Sequence, residues 1–398
     1  MILVSKKILC INSGSSSLKF KLYDMPEENV LISGQFERIG EELTDYQFGK
    51  SSIKIPVSNH EQAIHFLLND LLAQEIIDSF SEIKAVGHRV AHGGELFKQS
   101  SVIDEQSLAA IESLSSLAPL HNPVAVTGIK IFRELLPGTP QVAVFDTAFH
   151  QTVAKDKFLY PLPYALYQKY GIRKYGFHGT SHKYIASRTA LELGMRTENV
   201  NLISCHLGNG ASICCIRNGK SIDTSMGFTP NSGLMMGTRC GDIDANIVPY
   251  LQQQCGLNCE EIDQVLGNES GLLGVSGVSK DFRDVFQSAQ AGDEQARTAL
   301  KMYIDRIAQY ILQYFSELDR VDAVVFTAGV GEHSNYIRAK VCEKLKLIGL
   351  KLNQRDNNNA RMFVNAQGSI CPIMVIPTNE EVMIARDTFT LVTAKTVV

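Results

Sequence analysis

Several short blocks of this sequence set cations, histidines and carboxylates among glycines, a pattern suited to handling anions. Gly87-His88-Arg89-Val90-Ala91-His92-Gly93-Gly94 holds one arginine, and Met236-Gly237-Thr238-Arg239-Cys240-Gly241 holds another. A guanidinium presents a planar fork of donors that matches carboxylate or phosphate, and glycines beside it let the backbone approach a ligand closely. Arg89 and Arg239 are therefore read as anion-binding residues, with a structural ion pair as the competing role for each. Tyr175-Gly176-Phe177-His178-Gly179-Thr180-Ser181-His182 repeats the style. Asp146 ends the apolar run 142–145, where a carboxylate can orient a reacting group, hold a cation or simply cap a turn. Pro377-Thr378-Asn379-Glu380-Glu381 follows the apolar run 373–376 and offers oxygen ligands for Mg2+, or else a solvated helix start.

Three glycine-rich segments each follow an apolar strand: Gly14 with Ser15, Ser16 and Ser17, then Gly208-Asn209-Gly210, then Gly329-Val330-Gly331. Turns of this kind expose successive backbone N–H groups that accept phosphate oxygens. Any one alone reads as a tight turn; three in one chain point to a nucleotide. Lys19, just past the first turn, can set a point charge beside a phosphate.

Other chemistries are read as absent. No G-x-x-x-x-G-K-[ST] occurs, and Gly329-x-Gly331 lacks the third glycine and the leading position of a dinucleotide-binding unit. His178 and His182 are four apart, but Gly179 and Thr180 between them argue against a helix, so no zinc pair is read. No G-x-S-x-G elbow is present.

The elements that must position these residues are legible from periodicity. Residues 8–12, a serine–glycine turn, and the alternating Leu18-Lys19-Phe20-Lys21-Leu22-Tyr23 predict a hairpin. The unit recurs as strands 202–206 and 211–217 around 207–210, with Asn218-Gly219 turning into a third strand. Gly14 and Gly208 lie 194 residues apart, close to half of 398, which predicts two related halves with a cleft between them. Helices are expected over 61–80, 107–118 and 296–318, a buried strand over 323–326, and a helix capped by Ser334 running to 346. Pro161 and Pro163 mark a domain junction. The fold class is α/β.

Composition narrows the partners. Lys plus Arg is 38 against 42 Asp plus Glu, a net charge of −4, so no basic excess marks a nucleic-acid binder. Nine scattered cysteines without a CxxC read as reduced, mostly buried thiols of a cytoplasmic protein. The opening MILVSKKILCIN has too short an apolar run for a signal peptide, and no stretch reaches membrane-span length.

In order along the chain, Asn12-Ser13-Gly14-Ser15-Ser16-Ser17-Leu18-Lys19, the block from Gly87 to Gly94, Ala118-Pro119-Leu120-His121-Asn122-Pro123 and Phe145-Asp146-Thr147-Ala148-Phe149-His150 resemble the acetate kinase family. The resemblance continues through Gly176-Phe177-His178-Gly179-Thr180-Ser181-His182, His206-Leu207-Gly208-Asn209-Gly210, Asp223-Thr224-Ser225-Met226-Gly227, Met236-Gly237-Thr238-Arg239 and the block ending Glu380-Glu381. It covers essentially the whole chain. It implies two duplicated actin/Hsp70/sugar-kinase-like domains around a nucleotide cleft: 1–148, joined by a C-terminal helix at about 382–398, and 149–381. It also implies reversible phosphoryl transfer from ATP to acetate with Mg2+ (or Mn2+), in a cytoplasmic homodimer.

By that resemblance Arg89 holds the acetate carboxylate, Arg239 and His178 stabilise the transition state, and Asp146 is the catalytic carboxylate. Asn12 and Glu380 help hold the metal, and Lys19 faces the phosphates. ATP falls to His206, Leu207, Gly208, Asn209 and Gly210, to Asp281, Phe282 and Arg283, and to Gly329, Val330, Gly331, Glu332 and His333. The methyl pocket falls to Ala91, Leu120, Phe177 and Pro230. The chain departs from the family at His333, where Asn is usual, and at Asn231-Ser232, where Leu-Glu is usual. It also has Ala91 where many acetate kinases carry Val and propionate kinases often carry Ala. A propionate or short-chain carboxylate kinase is thus the alternative. An actin-like or chaperone-like ATPase is disfavoured because a nucleotide switch needs no second anion site, and a non-catalytic ATP-binding protein because nothing reads as a decayed site.

Overall fold

Alternation along 18–22 puts Leu18, Phe20 and Leu22 on one buried face and Lys19 on the other. The computed structural model, which describes residues 5 to 394, pairs β1 (Lys6–Gly14) with β2 (Ser17–Met25) antiparallel, from Lys6 opposite Met25 to Gly14 opposite Ser17. The chain divides into two compact units. The first runs to Phe149 and resumes at Asn379; the second spans His150–Thr378. Glu380 and Glu381 therefore sit with the first unit.

In the first unit β3 (Asn29–Glu37), β4 (Thr44–Phe48) and β5 (Ser51–Ile55) extend the hairpin as an antiparallel meander. On the other edge of β1 lie β6 (Ile83–Val90), β7 (Ser101–Val102) and β8 (Gln141–Phe145). The sheet order is β5-β4-β3-β2-β1-β6-β8-β7, with β1, β6 and β8 parallel. Helices His60–Ala73 and Asn122–Leu135 cover one face through a core that includes Leu9, Ile11, Leu67 and Phe132. The helix Glu380–Ala394 packs on β1, β2 and β6, its expected last four residues lying outside those described.

The second unit repeats the plan. Strands β9 (Leu202–Leu207), β10 (Ala211–Arg217), β11 (Lys220–Thr224), β12 (Ala323–Thr327) and β13 (Ile373–Val375) are ordered β11-β10-β9-β12-β13. The order and sense of pairing match β3-β2-β1-β6-β8, two antiparallel contacts followed by two parallel ones. The duplication expected from the two hairpins is present in the strands. Helix Glu294–Phe315 lays Leu300, Tyr303, Ile307, Ile311 and Tyr314 into the core, and its N-terminus is capped by Asp293, whose side chain accepts from the Ala296 N–H. The apolar periodicity of 296–318 is thus a helix shifted by two to three residues.

Three local expectations fail for identifiable reasons. The helix expected over 61–80 stops at Ala73, where Glu75 takes a left-handed φ of 56°; its later isoleucines pack from a turn. The helix expected to open at Ser107 opens at Glu105, with Ser107 completing a capping box on Asp104. A helix does span Gly179–Glu192, contrary to the reading from Gly179 and Thr180. His178 sits at its N-cap with φ 56°, so tertiary context overrides weak propensity there.

Candidate active site

In the first unit the parallel strands carry their chemistry at their carboxyl ends, where open α/β sheets place ligands. Asn12 lies near the end of β1, Arg89 near the end of β6, and Asp146 directly after β8, its N–H donating to the Val90 carbonyl at 3.0 Å. Arg89 grips Asp146 with two parallel bonds, Nε to Oδ1 at 3.0 Å and Nη2 to Oδ2 at 2.6 Å, and Nη1 donates to Asn12 Oδ1 at 3.2 Å. The negative charge of Asp146 holds the Arg89 pKa up despite burial. Of five guanidinium N–H groups three are committed, which leaves two for an anion. Lys19 stands opposite Asn12 across the hairpin.

Glu380 opens the C-terminal helix. Burial pushes its pKa up to about 7, and Asp146 and Glu381 add to the rise, while Arg89 and Lys19 oppose it. Lys21 reaches Glu381 at 3.3 Å, and the Tyr23 hydroxyl donates to Asn379 Oδ1 at 3.3 Å, so β2 anchors this helix start. Neither anchor carries a short-range signal in the sequence. The loop bearing Ala91 is fixed by residues that motif reading named without a role. Asn122 Oδ1 accepts from the His92 N–H at 3.1 Å and its Nδ2 donates to the His92 carbonyl at 2.9 Å, while the Gly93 N–H donates to Thr147 Oγ1 at 3.0 Å.

Gly87 corrects one expectation. A side chain there would strike Thr388 and come within 2.6 Å of Ile384, both on the C-terminal helix, so its bare Cα admits that helix rather than a ligand. The first serine-glycine turn is a two-residue hairpin turn, with His60 Nε2 donating to the Gly14 carbonyl at 2.8 Å.

The second unit holds a cavity of about 620 Å³, a size suited to a small ligand. Gly208, Asn209, Gly237, Asp281, Phe282, Arg283, Gly329, Val330 and His333 line it. The rings of Phe282 and Phe286 stack at 5.8 Å with 17° between planes, and Phe286 meets Tyr336 at 4.7 Å, giving an aromatic wall. Asp281 caps helix Phe282–Gln290 through the Arg283 N–H, and its bonds from Arg283 lower its carboxyl pKa to about 2.

Five nucleotide residues expected from the sequence do not line this cavity. Leu207 is fully buried in the core. A Cβ at Gly331 would come 3.4 Å from the Phe326 backbone, and Glu332 Oε1 accepts from the Thr378 N–H at 3.1 Å. Gly210 lies instead beside Arg239 and His178. The segment 328–333 is a six-residue helix, not a turn. His206, also off the cavity wall, stacks on His178 with ring centroids 4.1 Å apart, while its Nδ1 pairs with Ser181 Oγ at 2.8 Å.

Arg239 is positioned by close backbone approach. A side chain at Gly237 would collide with Asn209, and the Gly237 N–H donates to the Asn209 carbonyl at 3.1 Å, so the loop lies directly on the hairpin turn. A Cβ at Gly210 would sit 3.3 Å from Arg239 Nη1 and 3.5 Å from His178 Nε2, which places the Arg239 guanidinium and the His178 imidazole over that turn. Arg239 Nη1 donates to the Pro230 carbonyl at 3.4 Å, but no carboxylate pairs with Arg239 among the described residues. Burial lowers its pKa. A half-buried guanidinium without a counter-ion is a seat for an anion.

The expected methyl-pocket residues divide between the units. Ala91 (half-buried) and Leu120 (68% exposed) belong to the first, and Phe177 (buried) and Pro230 (half-buried) to the second. Ser232 Oγ donates to Asp242 Oδ1 at 3.2 Å, so the departure at Ser232 is absorbed locally. Six of the nine cysteines are buried, and among the described residues no helix is long and apolar enough to cross a membrane.

Known proteins agree with this geometry. The Acetokinase family matches residues 7–386. A propionate kinase of Citrobacter rodentium is 50% identical over 397 residues, covering 99% of this chain and 98% of its own. Acetate kinase 1 of Listeria monocytogenes is 51% identical over 385 residues, covering 96% of this chain and 97% of its own. The crystal structure of Porphyromonas gingivalis acetate kinase superimposes with a TM-score of 0.92 at 41% identity, covering 97% and 99% of the two chains. The fold is therefore that of the actin/Hsp70/sugar-kinase class, and the chain belongs to the acetokinase family.

Proposed function

We propose that this enzyme transfers the γ-phosphoryl group of ATP directly to acetate, giving acetyl phosphate and ADP, and runs in both directions. The observation that carries the reading is Arg239: half-buried, without a carboxylate partner, and set beside His178 over the Gly208–Gly210 turn. A carboxylate nucleophile is ionised at neutral pH, so the protein needs no strong base. Its task is to hold two anions and spread the charge of the moving phosphoryl group.

ATP is assigned to the second unit. The aromatic wall of Phe282, Phe286 and Tyr336 takes the base, Gly208 and Asn209 lie along the phosphates, and Arg239 and His178 donate to the phosphoryl oxygens. Acetate is assigned to the first unit, where the two uncommitted N–H groups of Arg89 donate to its carboxylate and Asp146 fixes the guanidinium plane. Lys19 faces the phosphates. Among the described residues no cluster of three or more His, Cys, Asp or Glu could hold a metal by itself. Asn12, Asp146 and Glu380 nonetheless offer hard oxygen donors, which suits Mg2+ (or Mn2+) shared with phosphates and water. When bound, the metal neutralises phosphate charge. We assign the enzyme to the cytoplasm as a homodimer, a reading supported by its free thiols and by the family.

Propionate is the second reading, and Ala91 favours it: one methylene of extra room is worth about 1–3 kcal/mol. The test is ATP- and Mg2+-dependent acyl phosphate formation, trapped with hydroxylamine and compared for acetate, propionate and butyrate by kcat/KM. A preference for acetate supports the main reading. Propionate equal or better moves the substrate, and no acyl phosphate from any of the three overturns the carboxylate-kinase reading.

A further inference from the structure

Behind His178 runs a buried polar thread to which the proposed chemistry assigns no part. Ser204 on β9, Ser212 on β10 and His182 in the first turn of helix Gly179–Glu192 are all fully buried. His182 Nδ1 lies 2.9 Å from Ser204 Oγ, and its Nε2 lies 2.9 Å from Ser212 Oγ. Ser212 Oγ is in turn 2.9 Å from His178 Nδ1. The backbone explains the alignment: His178 at the N-cap and His182 one turn later share a helix face.

Proton counting restricts this thread to two states. Among the described residues Ser212 Oγ has only these two imidazole nitrogens as partners, and accepting from both would leave its own buried proton without an acceptor, so it donates to one and accepts from the other. His182 is neutral, since burial and the nearby charges of His150 and His206 drive its pKa well down. It therefore carries a proton on one nitrogen only. In the first state Ser204 donates to His182 Nδ1, His182 Nε2–H donates to Ser212, and Ser212 donates to His178 Nδ1. His178 then bears its proton on Nε2, the atom beside Gly210 and Arg239. In the reverse state every bond flips, and His178 turns a lone pair toward the position assigned to an anionic phosphoryl group.

We propose that Ser204, His182 and Ser212 form a tautomer-setting relay that keeps neutral His178 as an Nε2–H donor toward the transferring phosphoryl group. Ser204, His182 and Ser212 are positioning residues, acting through His178. The inference rests on the proposed kinase chemistry for its purpose. Its geometry and its test stand apart from that reading.

The test is 15N NMR of histidine-labelled full-length protein with Mg2+, ADP and acetate present, with resonances assigned through His178→Asn and His182→Asn. The relay predicts that both histidines are neutral, with pyrrole-type Nε2 and pyridine-type Nδ1. Protonated Nδ1 on either ring, or an imidazolium at His178, overturns it. Ser212→Ala should lower kcat about tenfold with little change in KM, as expected when an orienting partner is removed. Ser212→Thr, which retains the hydroxyl, should keep more of the rate. If Ser212→Ala leaves the His178 tautomer unchanged, the relay is overturned even where thermal stability falls. Wild-type protein that makes no acyl phosphate would overturn the kinase reading, while the tautomers would still decide the relay.

Discussion

The two units share one strand order and yet treat their arginines in opposite ways. In the first, Arg89 is locked to Asp146 by two bonds and to Asn12 by a third, with Glu380 and Glu381 close enough to raise its charge stability further. In the second, Arg239 is half-buried with carbonyl and thioether contacts and, among the described residues, no carboxylate partner. Arg89 lies near the end of β6, whereas Arg239 sits in the loop after β11, so the duplicated strands do not fix the two arginines alike and the local charge balance decides what each site receives. The first sets its arginine among acids, poised for a cation and a small carboxylate; the second leaves Arg239 without a carboxylate partner among the described residues, poised for phosphate.

The sharpest way to break this contrast is to remove one member from each unit. Arg239→Ala should lower kcat about 10³-fold, some 4 kcal/mol of barrier, with thermal stability unchanged or slightly raised because an unpaired buried charge is gone. Asp146→Ala should instead lose both rate and about 2 kcal/mol of stability, since Arg89 is left without its partner. Paired kinetics and denaturant unfolding would show this. Equal stability losses in the two variants would erase the distinction.

Acid should weaken both units through histidines that are buried neutral. His88 and His92 in the first have pKa values pushed down by burial to about 4, and His182 in the second shifts the same way. The unfolded chain titrates near 6.5, so it takes up protons first as pH falls. The stability these groups contribute is therefore complete above about pH 7 and is lost as pH drops below 6.5, by about 2 kcal/mol each for His88 and His92 at pH 5. Urea unfolding at pH 7.5 and 5 checks this, and His88→Gln should flatten the slope.

The two close-approach glycines separate packing from chemistry. Gly87→Ala should cost about 2 kcal/mol of stability by pushing on the C-terminal helix at Ile384 and Thr388. Gly237→Ala displaces the loop that carries Arg239, so its loss should appear chiefly in turnover. Smallest is the substrate effect: Ala91→Val should shift kcat/KM toward acetate over propionate by about tenfold.

Much of this was legible in the sequence because its signals are local. Alternation over 18–22 and the Asn218-Gly219 turn mark the hairpins, and the half-length spacing of Gly14 and Gly208 marks the duplication. Arg89, Asp146, Asn12 and Glu380 were singled out as types, but the pairing of Arg89 with Asp146 joins residues 57 apart, and that of Lys21 with Glu381 residues 360 apart. No period or motif encodes such pairings. Glycines were the least transparent: Gly87 and Gly237 look alike in sequence, and only packing shows that one admits a helix and the other a loop beside a cavity. The helix opened by His178 was hidden because its start rests on a left-handed cap and buried serine bonds rather than on propensity.

The most direct test of direct transfer to a carboxylate uses acetate labelled with 18O in its carboxylate, with Mg2+ and ATP, followed by 31P NMR of the product. An acyl phosphate with 18O bonded to phosphorus is the predicted result. Inorganic phosphate free of label, with no acyl phosphate, would contradict it and leave an ATPase in its place.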